Sequence, residues 1–208
     1  MNEIIHHGKI GADILVVLPA TEDYLELARK AAKIHQRRAG IECDVVIVVD
    51  KERKGWVATH NWAIDNIKSK YYVYSCCDYF PGRDYLELAF NHLYHLSSSK
   101  KLKLIAFNDG KWYGQIATAG LIETKYAKSI YGSGLFCNEY QHNYADPELT
   151  LIAMTDDCYG YCSDAVLMEV DYEKENKMIN KSDQAIYNKR KIKLFDGKVD
   201  AQYREVFS

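Results

Sequence analysis

Two apolar runs near the start of the chain most strongly limit how it can fold. Asp13–Pro19 reads DILVVLP and Cys43–Val49 reads CDVVIVV. Runs of this kind are typical of parallel strands that are covered on both faces. The segment between them, from about Asp23 to Ala39, has apolar residues at helical spacing, with Thr21 as a candidate N-cap. The order strand, helix, strand predicts a βαβ unit with a right-handed crossover.

A third strand is predicted to bring a carboxylate to the same edge of this sheet. The stretch Tyr71–Gly82 reads YYVYSCCDYFPG, an apolar run that stops at Asp78 before a Pro81-Gly82 turn. The second strand also ends at a carboxylate, Asp50. Ligands of open α/β sheets bind at the carboxyl ends of the strands, so we expect Asp50 and Asp78 to face a shared site.

The remaining sequence predicts a single α/β domain with a mostly parallel sheet flanked by helices. We expect a nucleotide-binding half at about residues 10–82 and an acceptor half at about 83–195. The other predicted elements are helices at Trp56–Ile67, at Tyr85 to about Leu96 with Asp84 as N-cap, and at Lys181–Lys193; strands at Leu104–Phe107, Trp112–Ile122 and Tyr159–Val170; and an ambiguous segment at Lys125–Tyr131.

Composition narrows the range of functions. The chain has 208 residues, 48% of them apolar, and no Pro-, Gly- or Ser-rich linker, which favours one sizeable core. Its net charge of −2 provides no basic field for nucleic acid or anionic lipid. The apolar runs are of strand length and the N-terminus lacks signal-peptide features, so we expect a soluble, cytoplasmic protein without a membrane segment.

The cysteines indicate reduced thiols rather than a metal or disulfide framework. They form no CxxC pair and no zinc-finger spacing, and directly adjacent cysteines rarely bridge each other. We expect most of them to be buried and free. They are Cys43, Cys76, Cys77, Cys137, Cys158 and Cys162.

A second informative stretch precedes a predicted helix. Tyr140–Ala153 reads YQHNYADPELTLIA. Asp146 followed by Pro147 fits an N-cap and first helical position, with His142 just outside the helix. The helix dipole favours an ionised carboxylate there. The same pattern suits an ordinary cap and a catalytic carboxylate equally well.

The order of these features resembles the family 2 glycosyltransferases of the GT-A fold, over roughly Ile10–Phe195. No single motif carries the resemblance; order and spacing do. The matching features are the strand ends at Pro19 and Asp50, the Gly55/Asn61 region, Cys76-Cys77-Asp78 followed by Pro81-Gly82, and the tract from His142 through Asp146 to Leu149.

This resemblance implies transfer of a sugar from a nucleoside diphosphate sugar, most simply a UDP-sugar, to an acceptor hydroxyl with inversion. It implies a hexosyltransferase-like enzyme assisted by Mn²⁺ or Mg²⁺, whose charge stabilises the leaving diphosphate. The implied donor-binding residues are Pro19, Ala20 and Thr21 around the base and ribose, Asp50 toward the uracil ring, Asn61 near the diphosphate or sugar, and Asp78 at the diphosphate.

The metal site departs from the family pattern. Where the family has a DxD element, this chain has Cys76-Cys77-Asp78, and a register shifted by one would place Ser75 and Cys77 there instead. Thiols are poor ligands for Mg²⁺ and Mn²⁺, which prefer oxygen. Three alternatives follow: weak metal binding through Asp78 and the diphosphate, a site completed by another residue such as His142, or loss of catalysis.

The resemblance also implies a general base that accepts the proton of the acceptor hydroxyl. Asp146 is the first candidate, and Glu148 is expected to orient its helix. The weaker candidates Asp109, Asp156 and Asp157 lie in ordinary turn compositions. The late histidine of the family has no counterpart, because that region reads Met168-Glu169-Val170.

Two other classes of function remain open. A non-catalytic module that binds sugar nucleotide or glycan would account for Cys76 in place of a carboxylate. A nucleotidyltransferase is disfavoured, because PATEDYLELARK after the first strand lacks a Gly-rich basic triphosphate loop. The acceptor is open among saccharide, protein and hydroxylated nucleic-acid base. Candidate aromatic residues for stacking an acceptor ring are Trp112, Tyr113, Tyr140 and Tyr144.

Overall fold

A computed structural model describes residues 3–95, 101–170 and 180–207. The strands are β1 (Glu3–Gly8), β2 (Ile14–Ala20), β3 (Asp44–Val49), β4 (Tyr71–Tyr74), β5 (Tyr79–Pro81), β6 (Leu104–Asn108), β7 (Gly120–Glu123) and β8 (Tyr159–Glu169). The helices are α1 (Leu25–Arg38), α2 (Trp56–Asn66), α3 (Tyr85–His95), α4 (Thr124–Tyr131), α5 (Ala145–Thr155) and α6 (Lys181–Ile192), with short 3₁₀ turns at Glu22–Tyr24 and Ala201–Tyr203 and a turn at Leu194–Gly197.

One sheet connects the strands in the order β1-β3-β2-β4-β7-β6-β8-β5. Its centre is parallel: Val16 of β2 lies opposite Val45 of β3 and Val73 of β4. Antiparallel β1 covers the outer edge of β3, and antiparallel β7 joins β4 to β6. β6 and β8 are again parallel. The predicted α/β class with helices flanking a sheet that has a parallel core is confirmed.

The two faces of the sheet belong to two apolar cores. Val16 and Leu18 of β2 face α1 and α3, whereas Leu15 and Val17 face α2 and α5. Every residue of β3 is buried, which explains its unbroken apolar sequence. The predicted βαβ unit is therefore present, and it brings the carboxyl ends of β2, β3 and β4 to one edge.

Three element boundaries differ from the sequence predictions. Trp112–Ile122 is not one strand; residues 112–119 form a loop and β7 begins at Gly120, because the Asp109 carboxylate accepts hydrogen bonds from Lys111 N, Trp112 N and the Thr118 hydroxyl. β4 ends at Tyr74, four residues before Asp78, which lies in the turn to β5.

The third difference concerns the start of α5. The N-cap is Tyr144, in a left-handed conformation with φ 68°, and α5 begins at Ala145, so Asp146 lies inside the first turn rather than capping it. The segment at Lys125–Tyr131 is helical, in α4. α3 is described as far as His95, so the predicted end at Leu96 lies outside the described residues.

A buried ion pair joins α5 to α6. Arg190 donates from Nε and Nη2 to the two carboxylate oxygens of Glu148 at 2.9 and 2.8 Å. The hydroxyls of Tyr131 and Tyr140 donate to the same carboxylate at 2.6 and 2.8 Å. Glu148 is fully buried, and Arg190 is 6% exposed. The pair is bidentate and hydrogen-bonded throughout, the geometry in which a buried charge is tolerated.

None of the six cysteines, all of which lie in the described residues, forms a disulfide, and Cys43, Cys137, Cys158 and Cys162 are buried, as predicted for most of them. Among the described residues, no helix has both the length and the apolar character needed to cross a membrane.

Replacing Arg190 by methionine should lower the free energy of unfolding by about 3–5 kcal/mol, because Glu148 would remain buried without its counter-charge. Urea unfolding measures this loss. The matched control is Arg204→Met, which removes an exposed pair with Glu205 and should cost about 0–1 kcal/mol. Equal losses in the two variants would contradict a structural role for the buried pair.

Candidate active site

Asp50 organises the edge where β2, β3 and β4 end. Its backbone N–H donates to Ala20 O at 2.8 Å, which joins the ends of β3 and β2. Its buried carboxylate accepts hydrogen bonds from Lys54 N at 3.0 Å and Gly55 N at 2.8 Å. These bonds hold the loop that leads into α2. Because a carboxylate offers about four acceptor positions, Asp50 retains acceptor capacity toward a ligand.

Trp56 connects this edge to the second half of the chain. Its indole N–H donates to Ser75 O at 3.1 Å, just after β4. Its backbone N–H donates to His142 Nδ1 across a long 3.5 Å. The ring packs against Phe136 at a centroid distance of 4.7 Å. His142 is thereby held beside the ends of β3 and β4.

The loop that carries His142 is fixed from both sides. A Cβ on Gly55, at φ 101°, would lie 2.7 Å from Gln141 O, so only glycine fits against this loop. On the other side, the carboxylate of Asp183 accepts from the backbone N–H groups of Gln141, His142 and Asn143 at 3.0, 2.8 and 2.9 Å. Sequence reasoning missed Asp183, because an acidic residue in the first turn of a helix is ordinary.

Two hydroxyls with little access to solvent lie at the same edge without a hydrogen-bond partner in the described part of the chain. They are Thr21 Oγ1, directly after β2, and Ser75 Oγ, directly after β4. An unsatisfied buried hydroxyl costs about 1–3 kcal/mol, and such groups in native structures often await a ligand or an ordered water. Each of the neighbouring strands β2 and β4 is thus followed by a hydroxyl that could form a hydrogen bond with a ligand.

Asp78 lies in the turn between β4 and β5 and is 5% exposed. Its backbone carbonyl accepts from Val170 N at 3.1 Å, which ties the turn to the end of β8. Cys76 and Cys77 beside it are partly exposed. Within residues 3–95, 101–170 and 180–207, no three His, Cys, Asp or Glu side chains form a metal-binding group. With Asp78 as its carboxylate ligand, this turn suits only a cation that takes most of its oxygen ligands from elsewhere.

Asp146 is the carboxylate with the most unusual environment at this edge. Asp146 is partly exposed, yet its pKa is raised to about 7. Burial by surrounding protein atoms is the main cause of the rise. A hydrogen bond from its own backbone N–H lowers the pKa in part, and the charge of Asp109 raises it further. Burial raises the pKa of Tyr74 and Tyr79 as well, and the charge of Asp146 contributes to both. The Asp146 carboxylate therefore lies within electrostatic range of the Tyr74 and Tyr79 side chains, and Tyr79 directly follows Asp78.

Other predicted residues have structural partners or lie elsewhere. The Asn61 amide bonds to the backbone of Leu135 and Phe136, so it shapes the loop before α5. Glu148 pairs with Arg190, in keeping with its expected role in orienting the helix. Asp156 accepts from the Tyr126 hydroxyl at the far end of α5. Because α5 rises about 1.5 Å per residue, Asp156 and Asp157 lie about 15 Å from Asp146.

The fold was compared with known proteins. The catalytic domain of Drosophila β1,4-galactosyltransferase 7 in complex with xylobiose superposes with a TM-score of 0.59 at 14% identity, covering 85% of this chain and 79% of that one. A mannosyltransferase from Pyrobaculum calidifontis, in complex with GDP-Man and Mn²⁺, gives 0.64 at 14% identity, covering 93% and 67%. The chain has the GT-A fold.

A third GT-A relative is much longer than this chain. TarS from S. aureus gives a TM-score of 0.61 at 11% identity, covering 93% of this chain but 41% of that one. No protein-family model matches the sequence, and no curated protein is significantly similar to it. The likeness to GT-A structures thus lies in the arrangement of strands and helices, and the resemblance inferred from the sequence is confirmed at that level.

Replacing Gly55 by alanine should destabilise the protein in two ways, through the strain of its positive φ and through the clash of the new Cβ with the His142 loop. The matched control is Gly11→Ala, which also has a positive φ of 80° but no atom within 4 Å of the new Cβ. Overpacking should make Gly55→Ala the less stable variant by about 1–3 kcal/mol in urea unfolding. Equal losses in both variants would show that the contact with Gln141 is not tight.

The raised pKa of Asp146 predicts a pH-dependent stability difference. The folded state keeps its proton up to a pKa of about 7, whereas the unfolded chain loses it near the ordinary value of 3.8. The stability that Asp146 contributes should therefore fall as pH rises through this window, so the wild type should lose stability relative to Asp146→Asn, which lacks the titrating group. Urea unfolding across the window tests this, with Asp157→Asn as control. A difference that does not grow with pH would contradict the raised pKa.

Proposed function

We propose that this chain is an inverting glycosyltransferase that moves a sugar from a nucleoside diphosphate sugar, most simply a UDP-sugar, to an acceptor hydroxyl. The observation that carries the proposal is Asp146, a partly exposed carboxylate with a pKa of about 7 in a GT-A fold, within electrostatic range of Tyr79, the residue after Asp78. A base of that pKa is matched to proton transfer near neutral pH.

The donor is proposed to bind where β2, β3 and β4 end. Pro19, Ala20 and Thr21 would contact the base and ribose, and Asp50 would accept a hydrogen bond from the uracil ring. Support comes from the unused hydroxyls of Thr21 and Ser75 and from the remaining acceptor capacity of Asp50. In this assignment Asn61 acts indirectly, by shaping the loop at Leu135 and Phe136.

A divalent cation, Mn²⁺ or Mg²⁺, is proposed to bind together with the donor. When bound, it would neutralise charge on the leaving diphosphate. Asp78 offers one carboxylate, and such cations are often held by one or two carboxylates plus substrate phosphates. His142 is the second candidate ligand. Its Nδ1 accepts a long 3.5 Å hydrogen bond from Trp56 N, so coordination through Nε2 would need the tautomer protonated on Nδ1 and would break that bond.

In the reaction, Asp146 takes the proton of the acceptor hydroxyl as that oxygen attacks the anomeric carbon. The new C–O bond forms on one face of the sugar while the bond to the diphosphate breaks on the other, which inverts the anomeric configuration. The Asp146 carboxylate must be ionised to act, so kcat/KM should fall as pH drops below about 7.

Two further assignments belong to this proposal. The donor and acceptor halves are taken to form one domain, consistent with a single sheet that runs through both. An intracellular, cytoplasmic location fits six free cysteines, since disulfides are rare in reducing compartments.

A non-catalytic sugar-nucleotide or glycan-binding module is the second candidate. Cys76 in place of a DxD carboxylate favours it, because a neutral thiol contributes little to a hard cation. The two candidates differ in turnover, so one experiment separates them.

Donor binding and transfer should respond differently to two isosteric changes. Thermal unfolding with UDP-, GDP- and TDP-sugars should show stabilisation by one donor, larger with Mn²⁺, and little effect of Mn²⁺ alone. Asp78→Asn should lose the metal-dependent part. Asp146→Asn should keep donor binding and lose transfer or donor hydrolysis by about 10²–10⁴-fold, the usual contribution of a general base.

The control is Asp157→Asn, at the other end of α5, which should match the wild type in both assays. Donor binding without any turnover in the wild type would favour the binding module. The absence of any donor response would overturn the donor-site assignment itself.

A further inference from the structure

Two adjacent aromatic side chains are exposed on the loop between β6 and β7. We call residues 109–119 the aromatic loop. Trp112 is 37% and Tyr113 is 65% exposed. Large aromatic residues bury 150–250 Å² when packed, so a neighbouring pair left open to solvent on one loop is unusual and indicates a binding surface.

The aromatic loop is rigidly mounted. Asp109 accepts from Lys111 N and Trp112 N at 2.9 and 2.8 Å, and Thr118 donates its hydroxyl to the same carboxylate at 2.9 Å. The Tyr159 hydroxyl donates to Gly114 O at 2.7 Å. Both sides of the loop are thereby fixed, which lowers the entropy cost of binding to its aromatic rings.

Hydrogen bonds also connect the aromatic loop to the backbone of Asp146, the candidate base. Ala117 N donates to the Thr150 hydroxyl oxygen at 3.0 Å, and that hydroxyl donates to Asp146 O at 2.8 Å. The Tyr74 hydroxyl donates to Ala117 O at 2.9 Å, which ties the loop to β4. One short chain of hydrogen bonds therefore connects the aromatic loop, the strand end and the residue proposed to accept the acceptor's proton.

One residue of the exposed pair, Tyr113, has a strained backbone. Tyr113 has φ 48°, a left-handed conformation that is costly for an aromatic residue, and Gly114 follows at φ 77°. A Cβ at Gly114 would lie 2.3 Å from the Tyr161 ring. Such strain costs of the order of 1–3 kcal/mol and clusters at functional sites, where a fixed geometry is needed.

We propose that Trp112 and Tyr113 form the acceptor platform and that the acceptor is a saccharide, one pyranose ring of which stacks on these aromatic side chains. The role in transfer rests on the proposed function; the binding of sugar to the aromatic loop does not. A pyranose has an apolar C–H face and a polar rim. The loop matches both, since its two exposed rings lie in sequence between the exposed polar side chains of Lys111 and Gln115.

Lipid and nucleic-acid acceptors fit this surface less well. A lipid chain needs an enclosed apolar groove, whereas Trp112 and Tyr113 are exposed on a loop. Nucleic acid would need positive charge to neutralise phosphates, and the chain has a net charge of −2. The platform therefore selects for a ring with one apolar face.

The test uses saturation-transfer difference NMR with irradiation of protein aromatic protons. The probes are methyl β-glycosides of glucose, galactose, xylose and N-acetylglucosamine, with the peptide Gly-Ser-Gly as the alternative acceptor. At least one glycoside should receive saturation at its ring C–H protons. Trp112→Ala and Tyr113→Ala should each weaken its binding about tenfold, about 1.4 kcal/mol, whereas Tyr94→Ala, an exposed aromatic on α3, should not.

A measurement on the wild type supplements the variants. The bound glycoside should protect Trp112 from acrylamide quenching, since Trp56 and Trp62 are already less exposed. Unaltered melting temperatures of the variants would show that they are folded.

The platform would be overturned if no glycoside received saturation, or if only the peptide did. It would also be overturned if a glycoside received as much saturation from Trp112→Ala as from the wild type. Glycoside binding that depends on Trp112 without any response to donors would leave the platform standing and remove the transferase proposal. Donor binding without glycoside binding would do the reverse.

Discussion

The site of this protein depends on the buried pair of Glu148 and Arg190. This pair fastens α6 to α5, and α6 in turn carries Asp183, whose carboxylate holds three successive backbone N–H groups around His142. Without α6 the loop that packs on Gly55 would have no support from behind. A carboxylate that accepts two bonds from Arg190 and two from tyrosine hydroxyls is satisfied in full, which makes the arrangement specific as well as strong.

Helix α5 carries two carboxylates with different surroundings. Asp146 and Glu148 are two residues apart on α5, and side chains at that spacing point to different faces of a helix. Glu148 pairs with the Arg190 guanidinium and has a structural role. No cation in the described part of the chain lowers the pKa of Asp146. Burial and the charge of Asp109 raise that pKa to about 7. Burial without a counter-charge is a common way in which proteins prepare a carboxylate for proton transfer.

A GT-A fold by itself does not determine donor, acceptor or metal, because function resides in the site rather than the scaffold. What distinguishes this chain is the turn after β4, where two thiols and one carboxylate stand together, and the rigid aromatic loop after β6. In the proposed function, the first would leave a cation dependent on the donor's own oxygens. The second is connected to the backbone carbonyl of Asp146 by two hydrogen bonds through Thr150. The proposed acceptor site on the aromatic loop and the proposed base on α5 would thus be held in a fixed relation by the contacts between that loop and α5.

The sequence alone determined the parallel core and the edge at which the site lies. β2 and β3 are apolar along nearly their whole length because they are covered on both faces, and that pattern is legible in any parallel strand. The carboxylates after them were visible for the same reason, since a polar residue must mark where a buried strand emerges. Helix α5 followed from its turn-and-proline sequence, whereas the candidate role of Asp146 came from the family resemblance.

Only the tertiary structure decided which polar residues act together. Asp183, Thr150 and Ser75 look ordinary in sequence; Asp183 and Thr150 bind partners 33–42 residues away, and the Ser75 hydroxyl is buried without a partner in the described part of the chain. The loop at 112–119 reads as a strand, although Asp109 binds the backbone two and three residues along; its contact with Tyr159, 45 residues away, comes only from the packing. Asn61 reads as a ligand contact but bonds to a loop 75 residues later. Local pattern reports burial and periodicity, whereas hydrogen bonds between distant segments depend on how the whole chain packs.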